Sequence, residues 1–126
     1  MKFQILRDSS RQCSWRLVAS NSLIIALGVE SFPSKAGCRE AIAFLIGAAA
    51  SEFNVYQDFQ QLWRWHLKAA NGQVVAISGE TYVTRQGALE SAAIAVSADA
   101  NTPIEEVHDS GSMRAIMKPT SSTSKN

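Results

Sequence analysis

From residue 13 the side chains alternate: Cys13, Trp15, Leu17 and Ala19 point one way in an extended chain, and Ser14, Arg16, Val18 and Ser20 the other. The alternation returns further along, with Trp63, Trp65, Leu67 and Ala69 against Arg64, His66 and Lys68. A period of two with one apolar face predicts a half-buried strand. Each of these strands follows a short apolar run, FQILRD at 3–8 or FNVYQD at 53–58. Each also precedes a β-branched run, SLIIALGVE or QVVAISGE, so the pattern predicts three strands in succession. The period then becomes helical. Cys38, Ala41, Ile42, Leu45, Ile46 and Ala49 predict one buried stripe, and Leu89, Ala92, Ala93, Val96 and Ala100 a second. Ser34 and Thr84 stand where an N-cap hydroxyl would accept from free amides.

The two halves are copies. Residues 1–50 laid without gaps over 51–100 give identical pairs at 3, 8, 15, 17, 19, 21, 26, 30, 37, 40, 43, 48 and 50. A fifty-residue unit of three strands and a helix leaves a sheet face and a helical stripe uncovered, and its core is marginal alone. Two units sharing one sheet bury both, with the helices on one face and Trp15, Trp65, Leu17 and Leu67 beneath them. Between the second and third strands of the second unit stands Asn71-Gly72. This pair predicts a two-residue type I′ turn with positive φ at both positions. The first unit has Asn21-Ser22 there, a less comfortable version of the same turn. FNVYQD is expected both to close unit one and to open unit two, and TPIEEVHD at 102–109 to be the last strand.

These elements resemble the YegP-like family of small bacterial proteins. The likeness rests on LKAANGQVVAISGETY followed by RQGALESA, and on SKAGCREAI in the first copy. The resemblance implies an α+β fold of two tandem β-β-β-α-β repeats. They form one antiparallel sheet with two helices packed on one face and exchanged C-terminal strands. It implies no activity and no catalytic residue. The expected organisation is a single pseudo-dimeric domain over 1–109, with repeat one about 1–52 and repeat two about 53–109. A Ser/Thr-rich flexible tail is expected at 110–126.

Charge alters the functional reading. Three of the 12 basic residues, Arg114, Lys118 and Lys125, lie in that tail, which has no acid. The body therefore keeps nine bases against all 11 acids, a net −2, a poor footprint for a nucleic-acid binder. There is no apolar run long enough for a membrane span or secretory signal. Two cysteines make no disulfide framework, so a reduced, cytoplasmic setting is expected.

Candidate chemistry is sparse. His66 and His108 lack companions at zinc-ligand spacing. Cys13 and Cys38 fall on apolar stripes, where a thiol is a small core side chain. The glycines form no phosphate loop, and Glu30 and Glu80 read as charges at matching strand ends. No catalytic residue, metal or cofactor is expected. What the pattern leaves open is the far sheet face, where Arg16, Arg64, His66, Lys68 and Tyr56 form a possible interaction face. The leading expectation is a non-enzymatic module that contacts another macromolecule through this face or the edge strands. It would be a monomer with internal pseudo-two-fold symmetry. Weak single-stranded nucleic-acid binding by the same residues is the alternative, and an enzyme of unknown class the third reading.

Overall fold

The computed structural model describes residues 1–107. The expectations for His108 and for the 110–126 tail lie outside them. Repeat one comprises β1 (Lys2–Arg7), β2 (Cys13–Val18), β3 (Ile24–Gly28) and α1 (Lys35–Gly47). A 3-10 turn at Ala50–Glu52 leads into β4 (Phe53–Gln57), followed by β5 (Trp63–Lys68), β6 (Val74–Ser78), α2 (Arg85–Val96) and β7 (Ile104–Val107). The strands form one sheet in the order β4-β5-β6-β3-β2-β1-β7. The two repeats meet where β3 pairs with β6, setting Leu27 opposite Ile77.

All pairings are antiparallel except that of β7, which crosses from repeat two to lie parallel to β1 of repeat one. The exchange is thus made by one strand. β4 pairs with β5 and, among the described residues, with nothing else. It opens unit two without closing unit one. The chain between α1 and β4 is too short to supply a separate strand.

Both helices cover the same face, over a core of Phe3, Ile5, Trp15, Leu17, Phe53, Trp65 and Leu67. Trp15, Trp65, Leu17 and Leu67 are all fully buried, as the alternation requires. On α1 the buried positions are Cys38, Ile42 and Leu45, with Ala41 and Ile46 packed beside them. Ala49 is a correction: α1 stops at Gly47, and exposed Ala49 instead caps the 3-10 turn, its amide donating to Glu52 Oε1 (2.8 Å). On α2 the stripe is displaced from the expected one. Ala88, Ser91, Ala92 and Ala95 are buried, while Ala93 and Ala100 are exposed and Leu89 and Val96 lie at the margin. Apolar residues alone drew the wrong line, because the α2 face is nearly all alanine and includes a serine. Thr84 caps α2 by accepting from Gly87 N–H (3.0 Å), whereas Ser34 holds the N-cap place of α1 without a capping hydrogen bond from its side chain.

The hairpin turns also differ from expectation. Ala69 N–H donates to Gln73 C=O (2.8 Å) and Gly72 N–H to Ala69 C=O (2.9 Å), leaving a three-residue loop, 70–72. Only Gly72 has positive φ, +85°; Asn71 does not. This is a tight turn followed by one left-handed residue. Asn71 contributes its side chain, Oδ1 accepting from Gln73 N–H (2.9 Å). Repeat one builds the same loop with Ser22 at φ 71° and Asn21 Oδ1 accepting from Leu23 N–H (3.1 Å). The β1–β2 and β4–β5 turns follow this plan too. Arg11 (φ 66°) and Gln61 (φ 64°) are left-handed, and Asp8 and Asp58 accept from the loop amides.

Candidate interaction face

Opposite the helices, the register lines up one residue from every strand: Glu105, Gln4, Arg16, Leu27, Ile77, His66 and Asn54. The row is pseudo-symmetric about the β3–β6 seam, since Leu27 and Ile77, Arg16 and His66, and Gln4 and Asn54 are repeat equivalents. Leu27 and Ile77 are half-buried at its centre. A shallow concavity of about 560 Å³ runs beside them, lined by Leu6, Arg16, Leu27, Val29, Val74 and Ile77. Among the described residues no helix covers this apolar floor.

Polar side chains flank the floor differently in the two halves. In repeat one Arg16 Nε donates to Gln4 Oε1 (2.7 Å), and Gln4 Nε2 donates to Glu105 Oε1 (2.7 Å). Lys2 Nζ lies 3.1 Å from the same carboxylate. Burial draws the Arg16 pKa down, opposed by Glu105. The Gln4 hydrogen bond, with the Lys2 contact behind it, holds Glu105 below the usual carboxylate range. In repeat two His66 Nε2 meets Asn54 Nδ2 at 3.3 Å, and its ring lies 5.1 Å from that of Tyr56. Burial first, then nearby Lys68, lowers the His66 pKa, which favours the neutral ring. Arg64 Nε donates to Asp58 Oδ2 (2.8 Å), and Lys68 is exposed.

The five residues singled out from the sequence thus share one face, but only Arg16 and His66 flank its apolar centre. Leu27, Ile77, Gln4, Glu105 and Asp58 were missed. A signal for the first two existed: Ala26 and Ala76 are identical and inward, which turns their successors outward.

Other sites offer less chemistry. A concavity of about 410 Å³ at the β1–β2 turn is lined by Arg7, Arg11, Lys35 and Asp8. Lys35 is committed there to Glu106 (2.8 Å), and Asp8 to its own turn. Cys13 and Cys38 are free and buried; burial, with Cys13 adding to it, pushes the Cys38 thiol up to about 11, far from thiolate reactivity. Glu30 accepts from Gln73 Nε2 just beyond β3. Among the described residues no three His, Cys, Asp or Glu side chains converge on a metal position, and no helix is long and apolar enough to cross a membrane.

A family model described as "Domain of unknown function (DUF1508)" matches residues 8–53 and again residues 60–109. The chain belongs to the DUF1508 family. Two solved structures share the DUF1508 chain's fold. The protein of unknown function yegP from E. coli superposes with a TM-score of 0.76 at 22% identity, over 86% of this chain and 94% of its own. A UPF0339 protein from Shewanella oneidensis gives 0.74 at 18% identity, over 85% and 91%. The YegP-like resemblance and the tandem α+β repeat therefore hold. No curated protein matches the chain. The DUF1508 description names no reaction.

Proposed function

We propose that this protein is a non-catalytic binding module that receives an acidic protein surface on its open sheet face. In this reading it is a cytoplasmic monomer that needs no cofactor, with two repeats supplying two halves of one docking surface. The observation that carries the reading is the Leu27–Ile77 floor, apolar and uncovered among the described residues, flanked by Arg16 and His66, with Lys68 exposed two residues along β5 from His66. An apolar centre with a charged rim is the anatomy of a protein interface. Nucleic acid fits less well. Arg16 and Arg64 are held by Gln4 and Asp58, which leaves Lys68 as the side chain best placed for phosphate contacts.

A photo-crosslinking residue placed at Leu27 and, separately, at exposed Ile94 on α2 tests this in the native cell. A discrete acidic protein adduct from position 27 alone is expected, lost on adding Lys68→Glu. Equal adducts from both positions would overturn the proposal, and a nuclease-sensitive adduct at 27 would replace it with nucleic-acid binding.

A further inference from the structure

We infer that the outer edge of β4 is a strand-addition site for an extended peptide of a partner protein. The peptide enters parallel to β4 with the side-chain order apolar, uncharged polar, acidic, apolar. The inference does not rest on the open face. It comes from comparing two equivalent edges, of which one is filled.

β1 and β4 are repeat equivalents, and β1 carries β7 on its outer side. The parallel register there pairs Phe3 with Ile104, Gln4 with Glu105, Ile5 with Glu106 and Leu6 with Val107. Among the described residues nothing occupies the same side of β4. Burial records the difference: Ile5 is 2% exposed beneath β7, while its equivalent Val55 is only half-buried. The edge is also chemically open. Trp63 N–H and C=O turn away from β4 to bond Tyr82, at 2.7 and 2.8 Å. Gln57, opposite Trp63, is therefore turned away from β5, and so are Val55 and Phe53, two and four residues before it. Phe53 N–H is used by Ala50 C=O, which leaves Phe53 C=O, Val55 N–H and C=O, and Gln57 N–H for an incoming strand. The strand sequence FNVYQ has no lysine or proline to discourage pairing.

The filled edge also states what the open one selects. On the helix face Glu106 is gripped by Lys35 (2.8 Å) and Arg39 (2.5 Å). Their equivalents are Arg85, which makes no ion pair among the described residues, and Leu89. An acid in the Glu106 position therefore meets one waiting guanidinium. On the open face Glu105 is held by Lys2 and Gln4, whose equivalents are Glu52 and Asn54. Glu52 is turned back onto Ala49 N–H, so an acid there would find no cation in the place of Lys2, and an uncharged amide is preferred. The flanking positions match Ile104, which packs against the core, and Val107, whose counterpart would lie beside Tyr56.

The test uses the full chain, ¹⁵N-labelled, titrated with a synthetic peptide copying residues 101–107 but carrying Glu105→Gln. Saturable binding with amide shifts centred on 53–57 is expected. Val55→Pro removes an outward N–H, a place where an edge strand tolerates proline, and should weaken binding about tenfold or more. Arg85→Glu should weaken it as well, and a peptide carrying Glu106→Lys should restore binding to that variant. Circular dichroism confirms that each variant is folded. Absence of binding, unchanged binding in both variants, shifts confined to β1, or a β4–β4 dimer that excludes the peptide would each overturn the proposal.

Discussion

Trp65 and Trp15 hold equivalent places in the core, yet their indole N–H groups have opposite fates. Trp65 Nε1 donates to Ser91 Oγ at 3.0 Å inside the core, whereas Trp15 Nε1 is buried with no partner among the described residues. Ser91 is itself buried, and the residue at its equivalent in α1 is Ala41. Replacing Ser91 by alanine therefore strands a second buried donor, at about 1–3 kcal/mol. Better helix propensity in α2 returns about 0.5 kcal/mol, so a net loss of about 1–2 kcal/mol is expected. Urea unfolding followed by far-UV circular dichroism measures it without relying on the tryptophans. In a Trp65→Phe background the donor is gone, and Ser91→Ala should be neutral or stabilising. The cycle thus isolates the hydrogen bond. A Ser91→Ala variant as stable as the parent would refute the assignment. So would an equal loss in both backgrounds.

Three other outcomes follow from the geometry. Ser22 endures a left-handed φ that costs a non-glycine residue about 1–2 kcal/mol, so Ser22→Gly should raise stability by about 0.5–1 kcal/mol after the glycine's larger unfolded-state entropy, read from the urea midpoint. Gly28 lies under the Trp15 ring, where a Cβ would come within 2.3 Å of Nε1. Gly28→Ala should therefore cost about 1–3 kcal/mol by the same measurement, while the equivalent Ser78 already carries a side chain. Stability should also fall in acid. Asp58 is held below its ordinary 3.8 first by the Arg64 hydrogen bond, and Glu106 below its ordinary 4.5 first by Lys35. The unfolded chain then binds more protons in acid, so the stabilisation is present above those ordinary values and is lost as pH drops through the folded ones. Unfolding midpoints measured from pH 6 to pH 2 should decline, and Glu106→Gln should flatten the decline.

The repeat made the fold readable. Once Trp15 lies over Trp65 and Leu17 over Leu67, the strands, the core face and the shared sheet follow from a period of two. Local hydrophobicity misleads where it departs from that register. Carrying Cys38, Ala41, Ile42 and Leu45 forward by the repeat names Ala88, Ser91, Ala92 and Ala95, the true α2 stripe, but hydrophobicity favoured Leu89 and Val96. Asn71-Gly72 suggested the shortest turn because the dipeptide is compatible with two loop lengths. The register shift between Leu67 and Lys68 selects the longer one. No periodicity could show that β7 would lie parallel to β1, since that depends on where the chain emerges from α2. On the open face, alternation located Arg16 and His66. The tie from Arg64 to Asp58 depends on the β4–β5 turn, which brings two residues from different local patterns together.

The proposed binding surface is tested most directly by an amide chemical-shift map of the ¹⁵N-labelled chain, titrated with an acidic protein recovered by crosslinking at position 27. Shifts centred on Arg16, Leu27, Ile77, His66 and Lys68 are the predicted result. Shifts confined to the outer surfaces of α1 and α2, with the Leu27–Ile77 seam unmoved, would contradict it.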